Sequence, residues 1–204
     1  MESRKQKSVA LIVAHPDDET LWAGGTILSH PEWDCFVVCL CRVSDADRAP
    51  KFYRALKVLN AKGIMGDLDD GPEQLPLDVK LLEDTILKLL PQQDFDLLIT
   101  HDSHGEYTHH IRHEETGREL LKLWQSGKIL AGELWTFAYE DGNKKYYPEP
   151  VAGTEIFLTL KKEIWMKKYG IITRTYGFSA ESWEAKTTPL AESFRKQINK
   201  KSTI

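Results

Sequence analysis

The apolar run at residues 8–14, SVALIVA, is followed at once by the charged sequence HPDDE at residues 15–19. Apolar and polar side chains do not alternate in the run, so it is predicted to be a β-strand buried on both faces. Strands of that kind occur in parallel sheets that helices cover on both sides. This feature alone predicts an α/β fold.

The rest of the chain alternates between strand-like and helix-like patterns. Strands are predicted at residues 8–14, 35–41, 63–66, 96–100, 134–139 and 154–160, and helices at residues 19–29, 47–60, 77–90, 109–126, 161–168 and 189–200. The alternation predicts an α/β fold with a Rossmann-like, doubly wound, mostly parallel sheet flanked by helices. If the strand order is 3-2-1-4-5, strands 1 and 4 are neighbours, and such folds bind ligands at the carboxyl ends of those strands.

Length and composition limit the functional classes. With 204 residues, of which 41% are hydrophobic, the chain is expected to form one domain over residues 1–204. A net charge of −4 with scattered basic residues argues against a nucleic-acid partner. No stretch has the roughly 18 apolar residues of a membrane span, and the amino terminus lacks a signal-peptide pattern. A cytoplasmic protein is expected, and a homo-oligomer is left open.

Two groups of metal-ligand residues follow strands that should be neighbours. His15, Asp17, Asp18 and Glu19 come directly after the first strand. Five of the seven histidines lie within residues 101–113, directly after the fourth strand. A doubly wound sheet brings both groups to the same crevice. The sequence therefore predicts a site that combines imidazoles and carboxylates.

The spacing within each group suits a metal ion. His15 and Asp18 are three residues apart, as are His110 and His113, while His109 and His113 are four apart. Such pairs lie on one side of a turn or of a helix. Catalytic zinc commonly takes three protein ligands and leaves one position for water. Three members of the two converging pairs are therefore enough for a catalytic site.

Several interpretations remain open at this level. Asp17 lies beside a candidate ligand and is a candidate general base towards water, but Asp17 or Asp18 could instead cap the following helix. Another metal hydrolase, acting on phosphoesters or non-sugar amides, could use Asp102 and Glu106 as further carboxylates. A non-catalytic Rossmann-like binding protein is a third hypothesis, although no Gly-x-Gly-x-x-Gly motif follows the first strand.

The sequence AHPDDE at residues 14–19, together with GEYTHHIRH at residues 105–113, resembles the PIG-L/LmbE-like family of zinc-dependent de-N-acetylases. The resemblance extends over residues 9–124. It implies that one zinc ion per chain is held by His15, Asp18 and His113, with iron or cobalt as alternatives. It also implies that Asp17 is the general base and that His110 is the general acid or an oxyanion-site group.

The resemblance further implies a set of substrate contacts. Arg48 and Asp70 are expected to contact sugar hydroxyls, with a helix-start residue and a turn residue as the respective alternatives. Tyr107 is expected to donate a hydrogen bond to an oxyanion. The extra histidine in THHIRH leaves open whether His109 or His110 is the acid.

The implied reaction is hydrolysis of the N-acetyl group of an N-acetylglucosamine-like sugar or sugar conjugate, which releases acetate and a free amine. The implied partner is a small-molecule N-acetylated sugar. Aromatic residues near the motifs and in the loop at residues 141–150 are candidates for stacking on sugar rings, with packing as the alternative. These residues are Trp22, Tyr139, Tyr146 and Tyr147.

Overall fold

The computed structural model describes residues 6–92 and 94–199. The strands in these ranges are β1 Ser8–Val13, β2 Asp34–Cys41, β3 Lys62–Leu68, β4 Asp94–Thr100, β5 Leu130–Phe137, β6 Tyr139–Glu140, β7 Glu149–Pro150, β8 Ile156–Thr159 and β9 Ala191–Gln197. The helices are α1 Asp18–Ser29, α2 Arg48–Leu59, α3 Val79–Leu89, α4 Ile111–Ser126, α5 Lys162–Gly170 and α6 Trp183–Thr187, and a π-helical turn at Ile171–Thr175 follows α5.

Seven strands form one sheet in the order β3-β2-β1-β4-β5-β9-β8. Strands β1 to β5 pair in parallel, whereas β9 runs antiparallel to both β5 and β8. The predicted doubly wound α/β fold is confirmed, including the order 3-2-1-4-5 for the first five strands. Strand β1 pairs with β4, so their carboxyl ends lie side by side.

Helices cover both faces of the sheet. Val9, Leu11 and Val13 of β1 pack in the same cluster as the buried residues of α1 and α2. Ala10 and Ile12 point to the opposite face and share a cluster with buried residues of α3 and α4. Because successive strand residues point to opposite faces, both sets must be apolar. No helix in the described part of the chain is long and apolar enough to cross a membrane.

The predicted helix over residues 189–200 is wrong, because residues 191–197 form strand β9; residue 200 lies outside the described ranges. The segment is rich in helix-forming residues such as Ala191, Glu192 and Lys196. Tertiary pairing overrides that local preference. Phe194 of β9 lies opposite Phe137 of β5, and both are fully buried. A partner strand about sixty residues away leaves no local pattern.

A buried ion pair joins β9 to two helices. The Nζ of Lys168 in α5 donates to Glu192 Oε1 at 2.6 Å, and both side chains are fully buried. The same carboxylate accepts the backbone N–H groups of Gly25 at 2.7 Å and of Thr26 at 2.6 Å in α1. A Cβ at Gly25 would lie 2.9 Å from Glu192 Oε1 and 2.4 Å from Leu160 Cδ1. The glycine therefore permits the close packing that this contact requires.

We expect Lys168→Met to lower the free energy of unfolding by about 3–5 kcal/mol, because it leaves the Glu192 carboxylate buried without its cation. Urea denaturation of the whole chain measures the change. Lys80→Met is the matched control, since Lys80 pairs with Asp84 in an exposed pair, and it should unfold close to the wild type. Equal urea midpoints for the two variants would show that the buried pair contributes no more than a surface pair.

Candidate active site

The carboxyl ends of β1 and β4 bring the two predicted groups together. The turn after β1 carries His15, Asp17 and Asp18, and α1 begins at Asp18. The loop after β4 leads to His110, which precedes α4, and His113 lies in the first turn of that helix. The convergence predicted from topology is therefore present in the structure.

Three side-chain atoms converge at this point: His15 Nδ1, Asp18 Oδ2 and His113 Nε2. The two nitrogens are 3.1 Å apart. Asp18 Oδ2 is 3.3 Å from His15 Nδ1 and 3.4 Å from His113 Nε2. Ligands that share one tetrahedral metal ion at about 2.1 Å are themselves about 3.4 Å apart. The geometry of these three residues therefore fits a zinc-like site.

The hydrogen bonds of the two imidazoles fit tautomers in which the two facing nitrogens carry no hydrogen. His15 Nε2 lies 3.1 Å from Asp70 Oδ1, and His113 Nδ1 lies 2.6 Å from Glu106 Oε2. Each carboxylate takes a ring N–H, so we assign the opposite ring nitrogen a lone pair. Two lone pairs and the Asp18 carboxylate then face one another. A bound cation satisfies this arrangement, and the donor set suits catalytic zinc.

The electrostatics of the three residues point the same way. Burial alone would lower the pKa of His113, but the Asp18 carboxylate raises it above the ordinary value. Burial likewise opposes protonation of His15, whereas Asp18 and Asp70 raise its pKa. For Asp18, burial favours the neutral acid, yet His113 and His101 hold its pKa well below the usual range. The surroundings therefore favour positive charge among these groups.

His101 and Glu106 form hydrogen bonds that orient the strand end and His113. The sequence did not predict this role for them. Burial disfavours the charged form of His101, while Glu106 and Asp18 raise its pKa to about 9. Its Nε2, however, accepts the backbone N–H of Ala14 at 3.0 Å, which leaves no room for a second hydrogen. We therefore assign a neutral ring that donates from Nδ1 to Glu106 at 2.9 Å. Its Nε2 is not free to bind a metal.

Ligand atoms of two other triads lie within 4.8 Å of one another: Asp18, His101 and His113, and His15, His110 and His113. The Ala14 contact excludes the first triad because it occupies His101. The second triad has His110 in place of Asp18. Hydrogen bonds orient Asp18, His15 and His113, whereas His110 Nδ1 makes none among the described residues, so the set of His15, Asp18 and His113 is favoured.

Asp18 is oriented by the core rather than by solvent. The indole N–H of Trp22 donates to Asp18 Oδ1 at 3.0 Å, which turns Oδ2 towards the histidines. Trp22 is fully buried. Tyr139 is also buried, and its hydroxyl donates to the Trp22 carbonyl at 3.0 Å. Neither aromatic can present a face to a sugar, so the packing alternative holds for both.

Asp17 occupies the N-cap position of α1 but makes no side-chain capping hydrogen bond. Its φ of 119° is rare for a residue other than glycine and turns its carboxylate towards the cleft beside the three converging atoms. Arg48 Nη1 lies 3.3 Å from Asp17 Oδ2. Burial and the neighbouring Asp18 charge raise the pKa of Asp17 well above the usual range, while Arg48 opposes the shift.

Glu19, whose role the sequence left open, stabilises this unusual turn. Its Oε2 accepts the backbone N–H of Asp17 at 3.0 Å. Its Oε1 accepts hydrogen bonds from Thr20 Oγ1 at 2.5 Å and from the Tyr176 hydroxyl at 2.9 Å. Burial raises the pKa of Glu19 to about 7 against the effect of these bonds. The carboxyl therefore acts as a structural brace for Asp17.

A cleft of about 240 Å³ opens over the site. Asp17, Arg48, Tyr107 and His110 line it, as does Trp183. The Arg48 guanidinium also lies 4.5 Å from the centre of the Phe178 ring, which holds the side chain in place. Two of the predicted substrate-binding residues, Arg48 and Tyr107, thus line this cleft, and their contact with a substrate stays a prediction.

His110 rather than His109 faces this cleft. The side chain of His109 is 73% exposed and pairs with Glu114. The Nδ1 of His110 is buried and has no hydrogen-bond partner among the described residues. Burial and the nearby His113 and His15 lower the pKa of His110 to about 3. The ring is therefore neutral near pH 7 in this structure.

Asp70, the third predicted substrate-binding residue, contacts the site from the side of His15. Besides His15 Nε2, it accepts hydrogen bonds from Arg42 Nε at 2.8 Å and from Gln74 Nε2 at 3.1 Å. Burial opposes ionisation, but His15 and Arg42 hold the pKa of Asp70 below its usual range. These contacts orient the His15 ring. A sugar contact for Asp70 stays a prediction.

A buried arginine in α4 fixes the loop that carries Asp70. Arg112 is 1% exposed. It donates from Nε to the Asp69 carbonyl at 2.6 Å and from Nη2 to the Leu75 carbonyl at 2.7 Å. Its Nη1 donates at 2.7 Å to Glu115, which in turn accepts the Leu77 N–H at 2.9 Å. The Arg112–Glu115 pair therefore makes three hydrogen bonds to the backbone of residues 69–77.

Both motifs lie within the part of the chain that matches a known protein family. Residues 10–124 match the PIG-L family, described as GlcNAc-PI de-N-acetylase. An uncharacterized protein of Acanthamoeba polyphaga mimivirus is 23% identical over 153 residues. That alignment covers 67% of this chain and 64% of the viral protein, so the chain spans less than two thirds of this relative.

Solved structures share the fold. N,N′-diacetylchitobiose deacetylase from Pyrococcus horikoshii matches with a TM-score of 0.67 and 17% identity, covering 95% of this chain and 84% of that one. The zinc-inhibited form of teicoplanin deacetylase has a TM-score of 0.63 and 16% identity, covering 83% and 84%. The 4-carboxy-2-hydroxymuconate hydratase of Pseudomonas putida KT2440 has a TM-score of 0.66 and 19% identity, covering 94% and 96%.

If His15, Asp18 and His113 bind zinc, Arg112→Met should weaken that binding by roughly tenfold or more, because the loop that positions Asp70 against His15 loses its anchor. Competition with a chromophoric chelator measures the dissociation constant. Arg118→Met is the matched control, since Arg118 lies in the same helix and is half-exposed, and its partner Glu119 keeps Lys122 as a second cation.

The double variant Arg112→Met/Asp70→Asn distinguishes positioning from general destabilisation. If Arg112 acts through Asp70, the zinc dissociation constant of the double variant should not exceed that of whichever single variant has the larger one. Fully additive losses would show that Arg112 affects the site by another route.

Proposed function

The chain belongs to the PIG-L family of de-N-acetylases, and we propose that it is a metal-dependent N-deacetylase. The substrate class is an N-acetylglucosamine-like sugar or sugar conjugate, and the products are acetate and a free amine. One observation carries the proposal. The Asp17 carboxylate makes no capping hydrogen bond and is not one of the three converging atoms. It lines the cleft beside those atoms, whose separations suit a single metal ion.

The residues that would hold the metal are His15, Asp18 and His113. We propose one zinc ion per chain, although other divalent ions suit the same donors. A metal ion held there would supply Lewis-acid polarisation of the acetamide carbonyl and would lower the pKa of a water molecule. Glu106 and Asp70 keep the two imidazoles in the tautomers that binding requires.

Asp17 is the general base in this proposal. The oxygen of a water molecule bonds to the carbonyl carbon, and one of the water's protons passes to the Asp17 carboxylate. The raised pKa of Asp17 makes it a stronger base than an exposed aspartate. The Arg48 guanidinium, 3.3 Å away, keeps the carboxylate oriented. When the C–N bond breaks, the departing nitrogen takes up a proton and leaves as the amine.

His110 and Tyr107 are the candidate donors to the developing oxyanion. Both line the cleft, and their rings form an edge-to-face pair with centres 6.0 Å apart. A neutral imidazole can donate one N–H to an oxyanion. The low pKa of His110 suits that role better than the alternative role of general acid. The proton held by Asp17 balances the one that the amine requires.

The shared fold is not an argument for this activity, because a hydratase has it as well. The assignment rests instead on the family match and on the positions of the site residues.

We expect Asp17→Asn to bind zinc like the wild type and to lose turnover by about 10²–10⁴-fold, since the proton acceptor is removed and the ligands remain. Acetate release from a panel of N-acetylated sugars measures turnover. Asp47→Asn is a matched control on the exposed start of α2. Full deacetylase activity in Asp17→Asn would contradict the role given to Asp17.

We expect His15→Ala to lose the metal, with its activity abolished, because only two of three ligands remain. Elemental analysis of purified protein measures the stoichiometry, which should be one metal per wild-type chain. Chelation should abolish acetate release and added zinc should restore it. Two metals per chain would favour a phosphoesterase, and wild-type protein without metal would favour a binding protein.

A further inference from the structure

An aromatic groove lies next to the cleft, and its exposed aromatic residues lie in the part of the chain that follows the family match. Tyr146, Tyr147 and Trp183 are 43%, 44% and 37% exposed. They line a groove of about 560 Å³ together with residues of the loop between β6 and β7. Tyr107 and Trp183 line both the groove and the cleft. The two spaces therefore share a wall.

Asp141 fastens the loop to the segment that carries the active-site residues. Its Oδ2 accepts the backbone N–H of Thr108 at 2.8 Å, and its Oδ1 accepts the Thr108 hydroxyl at 2.7 Å. Its carbonyl accepts the N–H groups of Lys145 at 3.0 Å and Tyr146 at 3.2 Å. Thr108 is two residues from His110, so the groove is held in a fixed position relative to the cleft.

The Tyr146 ring is held against Gly142. This glycine has a φ of 58°, and a Cβ there would lie 2.3 Å from Tyr146 Cε1. The positive φ favours glycine at this position, and the missing side chain lets the ring pack directly on the loop backbone. One part of the exposed Tyr146 ring is therefore in contact with the loop.

The chemistry of the groove fits a carbohydrate ring. A sugar ring offers C–H faces that pack on aromatic rings and hydroxyl edges that need polar partners. The three aromatic rings provide surfaces for the C–H faces, and Lys144, Lys145 and His109 provide polar partners for the hydroxyl groups. A lipid acyl chain would meet these polar groups along its length. An anion would meet Asp141 beside the lysines.

We propose that this groove binds a second sugar ring, joined to the N-acetylated sugar whose acetamide lies in the cleft. The substrate is then a disaccharide or a longer glycan, and Tyr146 and Tyr147 determine specificity for it. The inference rests on the proposed deacetylase function, because it assigns the part of the substrate beyond the reacting ring.

Substrate pairs test the proposal. Acetate release is compared between the β-1,4-linked disaccharide of N-acetylglucosamine and the methyl glycoside of N-acetylglucosamine. We expect the wild type to favour the disaccharide in kcat/KM by about tenfold or more. Tyr146→Ala and Tyr147→Ala should each reduce that preference by roughly fivefold, mainly by raising KM for the disaccharide. Tyr53→Ala, an exposed tyrosine of α2, is the matched control and should preserve it.

The outcomes separate this inference from the proposed function. Equal kcat/KM for both sugars, with acetate released from each, overturns the second-ring site and leaves the deacetylase intact. A preference for an n-octyl glycoside that Tyr147→Ala abolishes also overturns it, because the occupant is then an acyl chain. Acetate release from none of the sugars overturns both. Calorimetric titration of Asp17→Asn with the disaccharide should show weaker binding when Tyr147→Ala is added.

Discussion

The arrangement of the site depends on the two hydrogen bonds that the Glu106 carboxylate accepts. Its Oε2 accepts a ring N–H from both His101 and His113, at 2.9 and 2.6 Å. The first bond leaves His101 Nε2 to accept the Ala14 amide, which fixes the backbone at the end of β1. The second fits a His113 tautomer whose Nε2 has a lone pair available to the proposed metal. One buried acid therefore orients both the turn and a proposed metal ligand.

Residues of β9, of α5 and of the π-helical turn region also fix the turn between β1 and α1. Helix α1 begins at Asp18, so any movement of the helix moves one of the proposed metal ligands. Glu192 of β9 and Lys168 of α5 hold that helix in its middle, at Gly25 and Thr26. The Tyr176 hydroxyl holds Glu19, which braces Asp17. Residues after the family match thus position residues within it.

The sequence predicted the parallel sheet and the meeting of two residue groups, because apolar runs and strand order are properties of local pattern and topology. It did not predict β9, since helix-forming residues there pair with a distant strand. Glu106 was missed as an orienting group because no spacing relates an acid to two imidazoles that fold around it. The choice of His110 over His109 likewise depended on the start of α4, which lies at Ile111 and not at residue 109.

Adjacent aspartates acquire different chemistry because the backbone turns between them. Asp18 points at three imidazoles, which hold its pKa well below the usual range and favour the carboxylate that the proposed metal site requires. Asp17 points into the cleft, where burial and the charge of Asp18 itself raise its pKa. The positive φ of Asp17 separates the two directions, and environments that drive two carboxyls apart in pKa are what acid–base chemistry requires. The motif therefore needs its unusual backbone as much as its residues.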